Sequence, residues 1–147
     1  MSKLLIAATP LGDFRDASTR LIEAISTAPL ILVEDTRKFA RLCADLKIEA
    51  TGKILTFFEG NEKERLSELE KAFKVYPEIL LITDAGMPGI SDPGYRAVAL
   101  ALSSGIPVSV LPGPSAVVTA LVLSGLPSDR FTFEGFLPRT KTGREQI

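Results

Sequence analysis

Two hydrophobic rhythms alternate along this chain, and few folds accept both. Leu4 to Ala8, Leu30 to Val33, Ile54 to Phe58, Ile79 to Thr83 and Pro107 to Leu111 are short, nearly continuous apolar runs. Strands of a parallel sheet read this way, because helices cover both of its faces. Between them lie segments with helical spacing. Ala17 to Thr27 places Leu21, Ile22, Ala24 and Ile25 on one face, and Asn61 to Val75 carries Leu66, Leu69 and Phe73 on a charged background. Thr36 to Leu46, Tyr95 to Leu102 and Ser115 to Leu123 are the other predicted helices. Asn61, with Glu64 three residues on, has the pattern of a capping box. The expected fold class is α/β, an open, mostly parallel sheet of about five strands flanked by helices.

Composition removes several function classes. The 147 residues are one domain's worth of chain, with 46% hydrophobic residues, enough for a sizeable core. There is no His, which takes away the commonest general base and metal ligand, and Cys43 is the single cysteine. No metal site and no disulfide are expected, and a reducing cytoplasmic setting fits. The apolar stretch Ala116 to Leu123 is far short of a membrane span, and the start at Met1-Ser2-Lys3 leads directly into a strand pattern without an export signal. With 17 Lys+Arg against 18 Asp+Glu, the domain has no charge excess for gripping nucleic acid by electrostatics alone. Phe131 to Phe136 reads as a further strand. The ending from Leu137 to Ile147 is polar and basic, and reads as a linker into a domain beyond it.

In an open α/β sheet, ligands bind beyond the carboxyl ends of the strands. Those ends are rich here in Gly, Pro and Asp: Ala8 to Asp13, Glu34 to Arg37, Thr83 to Gly94 and Pro112 to Ala116. All four loops should fall on one edge and converge on one cleft. None is a phosphate cradle, since neither G-x-x-x-x-G-K-[ST] nor G-x-G-x-x-G occurs, and Arg37 is the single basic residue in the four. Acidic residues beside Gly and Pro turns suit a ligand with hydroxyls, an ammonium and another cationic centre, read at close range by backbone groups.

Structural roles compete at each position. Asp92-Pro93 has the form of an N-cap and first helical proline for the helix at Tyr95, and Asp35 has the form of a cap for the helix at Thr36. Gly113-Pro114 has the form of a helix opening, Arg37 that of a surface ion-pair partner, and Gly105 and Gly125 that of helix C′ residues. Cys43 fits an inert core thiol. Asp84, at the end of an apolar strand, has the weakest structural role of the acids.

Taken as a set, the loops carry a resemblance. Ala8-Thr-Pro-Leu-Gly12, Glu34-Asp-Thr-Arg37, Asp84-Ala-Gly86 with Ile90-Ser-Asp-Pro-Gly94, Leu111-Pro-Gly-Pro-Ser-Ala116, Ser124-Gly-Leu-Pro127 and Phe133-Glu-Gly-Phe-Leu-Pro-Arg139 occur in that order. Together the six segments resemble the ribose 2′-O-methyltransferases of small-subunit ribosomal RNA, a branch of the tetrapyrrole methylase superfamily. The sequence departs from the family's usual pattern at Asp13, at Met87 and over Phe57 to Asn61, where the family has Asn, Thr or Ser, and a His-rich stretch.

The resemblance implies S-adenosylmethionine as methyl donor, a cytidine ribose of the small ribosomal subunit RNA as acceptor, a homodimer, and neither membrane nor DNA as partner. It implies a methylase N-terminal domain over residues 1–136, with 137–147 beginning the linker to a second domain. By position it places the donor at Pro10, Gly12, Asp84, Ala85, Gly86, Ile90, Ser115 and Ala116, and it places Glu34, Asp35 and Arg37 at the mouth as catalytic candidates. Arg139, Lys141 and Arg144 are either RNA-phosphate contacts or a solvated linker. Two other classes share these features: a methylase of a tetrapyrrole or other small molecule, and a non-catalytic dimerisation or nucleoside-binding module.

Overall fold

Five short strands lie parallel in a single sheet: β1 (Lys3–Ala7), β2 (Leu30–Val33), β3 (Lys53–Thr56), β4 (Glu78–Leu81) and β5 (Val108–Leu111), in the order β3-β2-β4-β1-β5. The structure, a computed structural model, describes residues 2–146. Met1 of the N-terminal segment and Ile147 of the basic ending lie outside the described residues. The register sets Leu4 beside Ile79 and Val108, and Ile31 beside Ile54 and Leu80. Central strands are buried on both faces, as their unbroken apolar runs require. Leu4, Ile6, Leu30, Leu32, Ile79 and Leu81 face one core, while Leu5, Ala7, Ile31, Val33, Leu80 and Ile82 face the other.

Each face is closed by two helices. Leu21, Ala24 and Ile25 of α1 (Thr19–Thr27) and Phe39 of α2 (Thr36–Leu46) pack on the second core. Leu69, Ala72 and Phe73 of α3 (Glu62–Val75), with Ala97 and Ala101 of α4 (Tyr95–Ser103), pack on the first. β1 and β4 are neighbours, yet the helices that follow them go to opposite faces. That divergence opens a crevice at their carboxyl ends, the usual ligand position in such sheets.

The predicted strands and helices therefore stand, with ends moved by one or two residues. Three local expectations do not. Asn61 sits at the start of α3 but makes no side-chain cap; its Oδ1 accepts from the Phe58 N–H at 2.8 Å and its Nδ2 donates to the Thr56 carbonyl. Asp92 does not cap α4: Ser91 and Gly94 take positive φ, so the chain turns once more and Gly94 becomes the N-cap. Phe131 to Phe136 forms no strand, because its alternating pattern finds no neighbouring strand to pair with among the described residues. Asp35 does cap α2, accepting from the Arg37 N–H at 2.8 Å, and Gly105 and Gly125 take the positive φ of helix C′ positions.

The chain divides into two compact units, the first ending at Ala116 and holding the sheet. The second begins at Val117. It contains most of α5 (Ala116–Ser124) and ends in a short helix, α6 (Lys141–Glu145), whose first turn is capped by the Thr140 hydroxyl on the Gly143 N–H.

Candidate functional site

Backbone pairing ties the loop after β1 to the loop after β4. Thr9 and Gly86 exchange two hydrogen bonds, N–H to carbonyl in each direction, at 2.9 and 3.0 Å. The buried Thr9 hydroxyl donates to the Thr83 carbonyl at 3.0 Å. Gly86 holds φ +78°, where a side chain is strained, and a Cβ there would press on Leu11 at 3.3 Å. The loop after β5 joins the same edge. A Cβ on Gly113 would stand 3.0 Å from that of Ala8, so glycine permits this close approach.

The loop after β2 is fastened to the same place through carboxylates. The Asp84 N–H donates to Glu34 Oε2 at 3.2 Å, and the Asp35 N–H donates to Asp84 Oδ1 at 3.2 Å. Lys38, one turn into α2, places its Nζ 2.8 Å from Asp84 Oδ2. Arg37 forms a two-pronged pair with the Asp35 carboxylate, its Nη2 at 2.7 Å. That guanidinium and the α2 N-terminal N–H hold Asp35 well below the usual carboxylate range. Glu34 behaves oppositely: burial, then the nearby Asp84 and Asp92 carboxylates, push it up, against the Asp84 N–H and Lys38. Asp92 is also pushed up by burial, with the Thr83 hydroxyl at 3.4 Å opposing.

A cleft of about 320 Å³ opens beside Asp84. One wall is Pro10, Leu11, Gly12, Phe14 and Ala85; the other is Lys38, Arg41, Leu42 and Asp45 of α2. Of the residues expected to hold a cofactor, Pro10, Gly12, Asp84 and Ala85 line this cleft. Gly86, Ile90, Ser115 and Ala116 lie outside its lining, although Gly86 and the turn before Ser115 share the same sheet edge. A second, much smaller cavity, about 20 Å³, lies behind Asp84 between Glu34, Lys38 and Thr83, with space for about one water molecule.

Sequence reasoning missed three participants. Lys38 and Arg41 lie inside the predicted helix Thr36 to Leu46 and carried no functional expectation. Their positions i and i+3, however, turn both toward the cleft. Glu62, at the start of α3, is buried and accepts from the Gly94 and Arg96 N–H groups at 3.2 and 3.1 Å. It thus supplies the α4 cap that Asp92 does not, and its carboxylate also faces Arg96 Nε at 3.5 Å. The signal was one of two acids in the first turn of α3, indistinguishable from a solvated helix start. Met87 packs against the first core, so this loop position serves packing here.

With this geometry in view, comparisons with known proteins agree. The family model described as tetrapyrrole (corrin/porphyrin) methylases matches residues 3–147. A Mycobacterium bovis protein named ribosomal RNA small subunit methyltransferase I is 47% identical over 142 residues, covering 97% of this chain and 50% of that protein. A Thermotoga maritima protein of the same name is 42% identical over 147 residues, covering the whole chain and 65% of the relative. The chain thus spans about half to two thirds of the length of these relatives. Among solved structures, a uroporphyrin III C-methyltransferase from Thermus thermophilus shares the fold, with a TM-score of 0.61 at 24% identity, over 86% of this chain and 53% of that one. Five parallel strands, a crevice between β1 and β4, and a family match along essentially the full sequence lead to one conclusion: the chain belongs to the tetrapyrrole methylase family.

Proposed function

We propose that this chain is the N-terminal part of an S-adenosylmethionine-dependent enzyme that 2′-O-methylates a cytidine ribose in small-subunit ribosomal RNA. The observation that carries the reading is the near-full-length match to relatives named for methylation of that RNA. On this reading residues 1–136 form the methylase domain, 137–147 begin a linker, the enzyme acts as a cytoplasmic homodimer, and ribosomal RNA is its partner.

The donor-side loops suit the donor. Pro10, Gly12 and Ala85 offer backbone groups at close range, Gly86 holds the turn through its pair of bonds to Thr9, and a Cβ on Gly12 would meet open space. Asp84 offers a carboxylate, and these loops contain neither Lys nor Arg. Such a set accepts an ammonium, a cationic sulfur and ribose hydroxyls. S-adenosylmethionine, when bound, supplies a methyl group on positively charged sulfur. Ile90, Ser115 and Ala116 complete the proposed donor set.

On the acceptor side, a ribose hydroxyl is a weak acid and gains from a carboxylate that takes its proton. Among Glu34, Asp35 and Arg37, Glu34 has that capacity. One oxygen is occupied by the Asp84 N–H, leaving Oε1 to receive the proton, and its raised pKa makes it the stronger base. Asp35, capped and paired, aligns Arg37 at the mouth instead.

The decisive assay offers labelled S-adenosylmethionine with small ribosomal subunits in one arm and a porphyrinoid in the other, then maps the modified nucleotide by mass. Label on a cytidine ribose is expected. Label on the porphyrinoid alone would overturn the reading.

A further inference from the structure

The cleft beside Asp84 has a wall that the donor does not explain. Phe14 stands on one side, in the 3-10 turn Phe14–Asp16 that packs against α2, and the residue is 44% exposed. An aromatic ring left that open in a concave site lacks the burial that ordinarily accounts for phenylalanine. Across from it are Lys38 and Arg41, exposed and one helical turn apart. The two cations are not equivalent. Lys38 is committed to Asp84 at 2.8 Å, whereas Arg41 approaches Asp45 only through Nε at 3.8 Å, outside hydrogen-bond range. Among the described residues the guanidinium of Arg41 therefore has no hydrogen-bond partner, and its donors are open to another acceptor.

A flat apolar face and a free guanidinium on opposite walls of the cleft match one unpaired nucleotide. Bases splayed from RNA stack on aromatic side chains, and their phosphates pair with arginine. Asp45 and Asp84 balance the two cations along the cleft, so the site lacks the field to track a long strand and selects a single phosphate. Pro10, Gly12, Asp84 and Ala85 of the proposed donor set line the same cleft, so the nucleotide would lie directly beside the donor.

We infer that the cleft between Phe14 and α2 is the acceptor-RNA subsite, with one unpaired base stacked on Phe14 and its phosphate held by Arg41. This rests on the proposed RNA methyltransferase reading, and gives that reading its substrate-side residues. Lys38 is a positioning residue, since it acts by fixing Asp84.

The test uses the protein at its natural length and a short, dye-labelled, single-stranded RNA, with affinity followed by anisotropy across a potassium chloride series. Phe14→Ala is expected to weaken RNA binding about tenfold, while Phe14→Tyr, which keeps a ring, stays within about twofold of wild type. Arg41→Ala is expected to lower affinity and make the slope of log affinity against log salt shallower by about 0.7, the share of one phosphate on a single strand. S-adenosylmethionine affinity, measured by calorimetry, should be unchanged in all three, which separates a lost contact from a damaged fold. RNA affinity and salt slope equal to wild type in Phe14→Ala and Arg41→Ala, with wild-type protein still methylating small subunits, would overturn the subsite and leave the function standing. Failure of the wild-type protein to methylate subunits, with transfer to a porphyrinoid instead, would overturn both.

Discussion

Asp84 and Asp92 sit eight residues apart in one loop and do different work. Asp84 faces the cleft and joins two loops to α2 through Lys38 and the Asp35 N–H, whereas Asp92 sits behind it against Thr83. Asp84→Ala is therefore expected to weaken S-adenosylmethionine binding by about tenfold, the loss of a hydrogen bond to a charged group. Asp92→Ala should change it less than about threefold, and calorimetry on both variants checks the order. Equal affinities with only a lower melting temperature for Asp84→Ala would reverse it. Glu34 allows a second test, through pH. Its pKa in the folded chain is raised above the ordinary 4.5 by burial and by two neighbouring carboxylates. Folding thus favours its protonated form; that stabilisation is complete below pH 4.5 and is lost as pH rises through the folded value. Glu34→Gln removes the partly buried charge, so its melting temperature should exceed wild type at pH 7. The difference should vanish near pH 4, while methyl transfer falls if Glu34 is the base. A constant difference across pH would show that the charge is not the cause.

At the scale of elements, α4 depends on α3 for its start. The Glu62 carboxylate, itself buried, takes the Gly94 and Arg96 N–H groups at the start of α4. Glu62→Ala leaves them without a partner, at about 2 kcal/mol. Denaturant unfolding should show a lower midpoint with an unchanged slope, and Glu62→Gln, which keeps an acceptor oxygen, should recover more than half of the loss. This contact also shows where sequence reading stops. Strand and helix identities were legible because periodicity is local: Leu30 to Val33 and Thr36 to Leu46 appear in the structure with the bounds their patterns suggested. Glu62 to Gly94 spans 32 residues, and nothing near either residue announces the other. Asp92 misled for the reverse reason. Its cap-like Asp-Pro pattern is real, but Ser91 at φ 55° and Gly94 at φ 132° carry the chain past it. The Phe131 to Phe136 pattern failed because alternation describes a strand's faces and not its partner, and a strand without a neighbour gains no ladder. Within the site, the Gly, Pro and Asp loops were legible as one edge, since strand direction alone sends them there. Lys38 was not, because its tie to Asp84 crosses 46 residues.

For the whole molecule, the strand order decides how much of the site this chain holds. β1 and β4 bring Pro10 and Asp84 together, so the donor-side loops and the Phe14 cleft are present within one sheet-bearing unit. Yet the cleft is open: Lys38 and Arg41 keep most of their side chains in water, and Leu11 and Phe14 remain exposed. Water then competes for each polar contact, while the cost of ordering a ligand is undiminished. Methyl transfer is more sensitive than binding, because the reacting atoms must be held collinear and close, and a displacement of about 1 Å costs on the order of a hundredfold. Since the relatives that this chain matches are up to twice its length, the 147 residues alone are expected to bind S-adenosylmethionine weakly and to methylate small subunits at least about a hundredfold more slowly than the same chain extended to the length of those relatives. Donor calorimetry and labelled methyl incorporation on the two forms, side by side, give the comparison. A rate deficit larger than the affinity deficit is the expected result, because openness penalises positioning more than contact. Equal turnover would show that the β1–β4 crevice and its loops suffice for the chemistry.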